Sequence, residues 1–351
     1  MKDIGSIFPL YKEDLQIETH EISQTTEGRI DYSLCREALF AVAGKLSNTN
    51  KIVLLPAYTC QTVIDPFLQQ GWGCHYYSIK RNLRIDTEHL SLCYEKYKAA
   101  VVVVHPFLGM ELNIQELDTL AFIKGKGAVL IEDITQCIYT ETRPGIFDYF
   151  TGSYRKWYQV PDGGFIEGKQ LIDIAEPSEE NCVFLSKQRD AMFLRGEYFL
   201  RGDEDIKAIS IRLNKDAVAG IGGSIDPHKM SGYSLMIKEA VDHKTVIRQR
   251  FENYKFLFEN LHQNDRIEFA CNNLSEVTTA PLYFPIYVED RAGLQKKLAE
   301  AHIYAPVLWP VYSKEVLIDA NTEYIYSHIL MLPIDQRYGE EDMERIIDLL
   351  K

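Results

Sequence analysis

Ala128-Val-Leu-Ile-Glu-Asp133 is a short apolar run that ends in acid. A run of this length with no polar alternation reads as a strand covered on both faces, the situation of a parallel sheet. Ala99-Ala-Val-Val-Val-Val-His105 has the same character and also ends in a polar residue. Lys51-Ile-Val-Leu-Leu-Pro56 and Cys74-His-Tyr-Tyr-Ser-Ile79 are two more such strands. Between them lie helical patterns at Leu34 to Leu46, Thr62 to Gln70 and Asn113 to Lys124. Strand, helix, strand at these lengths gives βαβ units and an open α/β sheet.

From about Leu171 the pattern changes to long helical stretches. The longest is expected over Tyr233 to His262, where Leu235, Ile237, Val241, Val246, Phe251, Tyr254 and Phe258 recur at near-helical spacing. Strands are expected at Tyr283–Val288 and His328–Pro333, and helices at Ala292–Ala301 and Glu340–Leu350. With 351 residues the chain exceeds one ordinary core. The expected division is a large α/β domain over 1–230 and a small C-terminal α+β domain over 231–351.

The formal net charge of −13 argues against binding a nucleic-acid backbone as the main task. No apolar run approaches the roughly 20 residues of a membrane helix, and the first residues lack the apolar core of a secretory signal. A cytoplasmic protein with no membrane partner is expected. Seven cysteines, at 35, 60, 74, 93, 137, 182 and 271, never fall as CxxC; buried thiols are expected, and no metal site.

In an open α/β sheet, ligands bind beyond the carboxyl ends of the strands. His105, Asp133 and the segment Gly152-Ser-Tyr-Arg-Lys156 all fall at such ends. A strand-end acid can bind metal, act as a base or pair with a cationic heterocycle. Acid plus lysine is also what pyridoxal 5′-phosphate (PLP) requires: an amine to hold the aldehyde and a carboxylate to keep the pyridine nitrogen protonated. By residue type alone the pair is weak, since a lone Asp and a lone Lys are most often solvated. Asp133 also reads as a helix cap before Ile134, and Ser33 as a cap before the first helix.

Five ordered segments strengthen the reading. Tyr32-Ser-Leu-Cys-Arg-Glu-Ala-Leu39, Leu55-Pro-Ala-Tyr-Thr-Cys60, Val104-His-Pro-Phe-Leu-Gly109, Ile131-Glu-Asp-Ile-Thr-Gln136 and Gly152-Ser-Tyr-Arg-Lys-Trp157 resemble, in that order, the motifs of the DegT/DnrJ/EryC1/StrS family. These are PLP-dependent sugar aminotransferases of fold-type I, with a large, mostly parallel sheet domain and a small C-terminal domain. The likeness runs from about Arg29 to the C-terminus. It implies that Lys156 is the Schiff-base lysine and proton shuttle, that Asp133 pairs with the pyridine nitrogen, and that Gln136 contacts the ring near its phenolic oxygen. Ser153 and the backbone around Cys35 and Arg36 would hold the phosphate at a helix N-terminus.

The sequence also departs from the family. Ser153 and Lys156 are three positions apart where the family has five, and Cys60 stands where an aromatic usually stacks on the ring. Tyr58 or His105 could cover the ring instead. Arg155, His228, Lys229 and Tyr312 are the candidates for substrate contacts. The resemblance implies a homodimer that aminates a nucleotide-linked keto-sugar with an amino acid, glutamate first among donors, in surface-polysaccharide or amino-sugar synthesis. The alternatives are a PLP aminotransferase or lyase acting on a small amino or keto acid, and a non-catalytic binding protein that has kept the fold.

Overall fold

The computed structural model describes residues 2–13, 28–46, 50–140, 143–171, 173–174 and 176–351. The first half alternates strand and helix as expected: β1 (Arg29–Tyr32), α1 (Cys35–Lys45), β2 (Ile52–Pro56), α2 (Gln61–Gln69), β3 (Gly73–Tyr77), α3 (Thr87–Tyr97), β4 (Val101–Val104), α4 (Ile114–Gly125) and β5 (Val129–Asp133). Then β6 (Tyr149–Ser153) and β7 (Gly164–Gly168) complete a seven-stranded sheet in the order β1-β7-β6-β5-β4-β2-β3. Strands β3, β2, β4, β5 and β6 pair in parallel; β7 runs antiparallel to both β6 and β1. All four residues of β4 are buried, which is why its sequence is unbroken valine.

Two facts of this topology position everything that follows. The parallel strands deliver Cys60, His105, Asp133 and Ser153 to one edge of the sheet. Because β7 is antiparallel to both neighbours, β1 runs with β6, so its carboxyl end brings the start of α1 to that edge too.

The second half holds α5 (Cys182–Arg201) and α6 (Glu204–Gly220), then α7 (Gly232–Ala240) and α8 (His243–Asn260). A three-stranded antiparallel sheet follows, built from β8 (Ile267–Phe269), β9 (Phe284–Val288) and β10 (Ile329–Leu332), with α9 (Arg291–Glu300), α10 (Ala320–His328) and α11 (Glu340–Leu350). The single helix expected over Tyr233–His262 is two. Val241 is extended, at φ −67° and ψ 129°, and Asp242 caps α8 by accepting from the Thr245 amide at 3.2 Å. Apolar residues keep near-helical spacing on both sides, so periodicity concealed a break that the capping aspartate makes.

The first residues return to this C-terminal part. The Ile4 amide donates to the His302 carbonyl at 2.8 Å, and the Tyr304 amide donates to the Ile4 carbonyl at 2.7 Å. Asp3, only 1% exposed, lies 3.4 Å from Arg195, 3.2 Å from Lys207 and 2.9 Å from His302, and accepts from the Tyr198 hydroxyl. Arg337 donates to the carbonyls of Ser6 and Ile7. Gly5 has φ +84°, and a Cβ there would stand 2.4 Å from the Tyr304 carbonyl oxygen, so the tight join requires glycine.

All seven cysteines are free thiols. The expectation that they are buried holds for Cys93, Cys137 and Cys271; Cys182 is exposed, and Cys35, Cys60 and Cys74 are half-buried. Among the described residues no helix is long and apolar enough to cross a membrane.

Candidate active site

A cavity of about 270 Å³ opens at the shared strand edge. Its walls include Cys35 and Arg36 from α1, Cys60, His105, Asp133, Gln136, Ser153, Arg155 and Lys156. Eight of the residues the sequence assigned to cofactor binding therefore meet in one place, together with Arg155.

Lys156 stands on a 3-10 turn, Tyr154–Lys156, directly after β6. Trp157 fixes that turn: fully buried, it donates its indole N–H to the Thr135 carbonyl at 2.8 Å. The Lys156 side chain is exposed, but into the cavity, with protein around it. Burial, the largest influence, and the adjacent Arg155 charge lower its pKa; Cys60, Cys35 and Asp133 oppose them. A lysine kept in this way has more of the free amine that condensation with an aldehyde needs.

Asp133 ends β5 at a turn, not at the helix its sequence suggested it would cap. One carboxylate oxygen accepts from the Thr135 amide at 3.0 Å and fixes the turn after β5. The other lies 3.5 Å from His105 Nδ1. His105 Nε2 is 2.7 Å from Thr59 Oγ1, and burial lowers the histidine pKa. Asp133 is thus oriented from two sides and remains at the cavity wall. Gln136 is 5% exposed, and its Oε1 has no hydrogen-bond partner. A buried acceptor left open in a ligand cavity is suited to a donor from a ligand.

The N-terminus of α1 makes the anion side. Leu34, not Ser33, is the N-cap residue, and no side chain caps the first turn. Ser33 Oγ is fully buried without a partner. The Glu37 carboxylate accepts from the Leu34 amide at 3.3 Å. Gly164 makes this approach possible: a Cβ would lie 2.1 Å from the Cys35 nitrogen. Cys35 packs its sulfur 3.3 Å from Thr151 Oγ1, and burial raises its thiol pKa. Arg36 directs its guanidinium away, donating to the Ile221 carbonyl and standing 3.7 Å from Asp65. Ser153 Oγ donates weakly to the Gly163 carbonyl at 3.4 Å.

Several expectations are corrected. Tyr58 is 1% exposed and lies outside the cavity wall, packed against Phe107, Trp309 and Tyr326 at centroid distances of 5.7, 5.0 and 5.1 Å. His228, Lys229 and Tyr312 are likewise not brought to the cavity. His228 sits beside Glu37, with its amide donating to that carboxylate at 3.0 Å. The Lys229 amide donates to the Glu179 carbonyl, and Tyr312 is 64% exposed. Sequence reasoning missed Trp309 and Leu282, which close the cavity from the C-terminal part. A tryptophan in the proline-flanked segment Pro306-Val-Leu-Trp-Pro310 was the available signal.

A second cavity of about 620 Å³ shares Ser153, Arg155 and Lys156 with the first. Its far side is made by residues 5–8, Tyr304 and Arg337.

No family model matches the chain, and no curated protein matches it in sequence. Solved structures do resemble it. The Helicobacter pylori aminotransferase PseC, involved in the biosynthesis of pseudoaminic acid, superposes with a TM-score of 0.66 at 12% identity, over 99% of this chain and 98% of that one. A DegT/DnrJ/EryC1/StrS aminotransferase from Brucella abortus gives 0.63 at 14%, over 92% and 84%. The Bacillus subtilis protein NtdA, with bound cofactor PMP, gives 0.63 at 20%, over 92% and 72%. At these identities the likeness is one of architecture: the chain has the fold of these aminotransferases.

Proposed function

We propose that this protein is a PLP-dependent aminotransferase that passes an amino group from an amino acid such as glutamate to a nucleotide-linked keto-sugar, and that it works as a homodimer. The observation that carries the reading is the convergence of Lys156, Asp133 and Gln136 on one cavity that opens beside a second, larger one. The residues present suit the cofactor: a lysine of lowered pKa, a strand-end carboxylate oriented from two sides, an open buried acceptor and an uncapped helix N-terminus.

When bound, PLP supplies the electron sink for charge that develops at the substrate α-carbon. The chain's own residues have separate tasks. Lys156 carries the cofactor and moves a proton between the α-carbon and cofactor C4′. Asp133 holds the proton on the pyridine nitrogen, with His105 and Thr135 fixing its direction. Gln136 contacts the ring near its phenolic oxygen, where its amide N–H can donate. Ser153 and the first amides of α1 hold the phosphate. The second cavity, about 620 Å³, exceeds the needs of a small keto acid and supports a sugar-sized acceptor.

The test begins with borohydride reduction of the PLP-loaded protein and peptide mapping. The label is expected on Lys156; a label on another lysine removes the assignment. The protein is then amino-loaded with glutamate and offered nucleotide-linked keto-sugars beside pyruvate and 2-oxoglutarate. Recovery of the aldehyde-form absorbance is expected with a keto-sugar; recovery with the keto acids alone across a broad panel supports the amino-acid reading instead.

A further inference from the structure

Among the described residues lining the first cavity, two arginines differ in what they have left to give. Arg36 donates to the Ile221 carbonyl and faces Asp65. Arg155 has no hydrogen bond and no carboxylate within ion-pair distance; it stands over the Phe184 ring, 5.0 Å from the guanidinium carbon. Phe184 packs with Leu34 and Ala217, so this ring stands at the start of α1. The guanidinium is therefore on the side of the helix N-terminus, next to Ser153.

Two acids act on Arg155 at longer range, Asp162 first and Glu37 second, and neither stands within ion-pair distance. Burial pushes the Glu37 carboxyl up to about 8, so at neutral pH it is mostly protonated. Asp162, pushed up to about 6 by burial, is held by the hydroxyls of Ser231 and Ser234. A partly buried guanidinium with no carboxylate at ion-pair distance is suited to binding an anion.

We infer that Arg155 is the counter-ion of the cofactor's phosphate, binding it together with Ser153 and the Cys35 and Arg36 amides. This rests on the PLP reading above. A helix N-terminus offers about half a positive charge, whereas a phosphate monoester is close to a dianion, and a guanidinium fork supplies the difference with paired N–H donors. Arg155 also lines the second cavity, where the competing role is to hold a substrate carboxylate.

The experiment separates these roles by using a cofactor that lacks the phosphate. Apo-protein of the parent, Arg155→Met and Arg155→Lys is titrated with PLP and with pyridoxal, following absorbance. Arg155→Met is expected to weaken PLP binding about 10- to 100-fold and to leave pyridoxal binding within about threefold, with Arg155→Lys intermediate. The 31P resonance of bound PLP gives a second readout: insensitive to pH from 6 to 8 in the parent, titrating in Arg155→Met. Unchanged PLP affinity with a raised KM for the amino donor overturns the inference in favour of the carboxylate role. Equal loss of PLP and pyridoxal also overturns it, as general damage to the cavity. If the parent itself forms no borohydride-fixable bond with PLP at Lys156, the proposed function fails, a separate result.

Discussion

Asp3 and Asp133 are both buried aspartates, yet their surroundings are opposite. Asp3, 1% exposed, has Arg195, Lys207, His302 and the Tyr198 hydroxyl around it, with two full cations within 3.4 Å. Asp133 has one oxygen tied to its own turn, the other near a histidine whose pKa burial lowers, and a cavity in front. Paired charge of the first kind joins segments distant in sequence. Charge held in place but incompletely paired, as at Lys156 and Arg155, suits a site that binds a ligand. Glu132, beside Asp133 but on the other face of β5, is a third case: 2% exposed, with an Oε2 that has no hydrogen-bond partner.

Substituting each acid by its amide breaks or sharpens the contrast. The largest effect is expected at Asp133. Asp133→Asn should fold and bind PLP, but transaminate about 1000-fold more slowly, or about 4 kcal/mol in the barrier, because an amide does not hold the pyridinium proton. Single-turnover rates with glutamate measure this; a rate near that of the parent removes Asp133 from the chemistry. Asp3→Asn should do the converse. It leaves Arg195 and Lys207 buried without their carboxylate and should cost about 3 kcal/mol in denaturant unfolding, while PLP affinity changes little. If activity is lost with stability intact, the two aspartates are not the different devices described.

The smallest effect belongs to Glu132, whose carboxyl burial pushes up from 4.5 to about 8. The folded state binds that proton more tightly than the unfolded chain does. Its contribution to stability therefore falls as pH rises from about 4.5, and the loss is complete above about 8. Glu132→Gln should be close to the parent in stability at pH 4 and clearly more stable than it at pH 9. Thermal melts at the two pH values check it; an equal difference at both points to a packing effect.

The sequence made the middle of the sheet legible because β2, β4 and β5 are covered on both faces and their composition says so. Asp133 and Lys156 followed, since polar residues after such strands must reach the same edge. Less of the periphery could be read. Arg29–Tyr32 is four residues long and half polar, so β1 carries no strand signal, and nothing local marks β7 as antiparallel. Trp309 reaches the cavity through a loop whose path is decided by packing. His228, Lys229 and Tyr312 were placed by order along the chain, and order does not fix which side of a wall a residue faces.

The return of residues 2–8 to the C-terminal part has a consequence for synthesis of the protein. Lys2 pairs with Asp342 at 2.8 Å, 340 positions away. At about 5–20 residues per second, roughly 15–70 s separate the emergence of the two partners from a ribosome. The strands from β1 to β7 can form their sheet in that interval. Ile4 and Phe8, buried in the finished molecule, stay uncovered until residues 302–304 and 335–338 arrive. During synthesis residues 4–8 thus form an apolar handle, one that a chaperone can grip and that is withdrawn when the wall of the larger cavity closes.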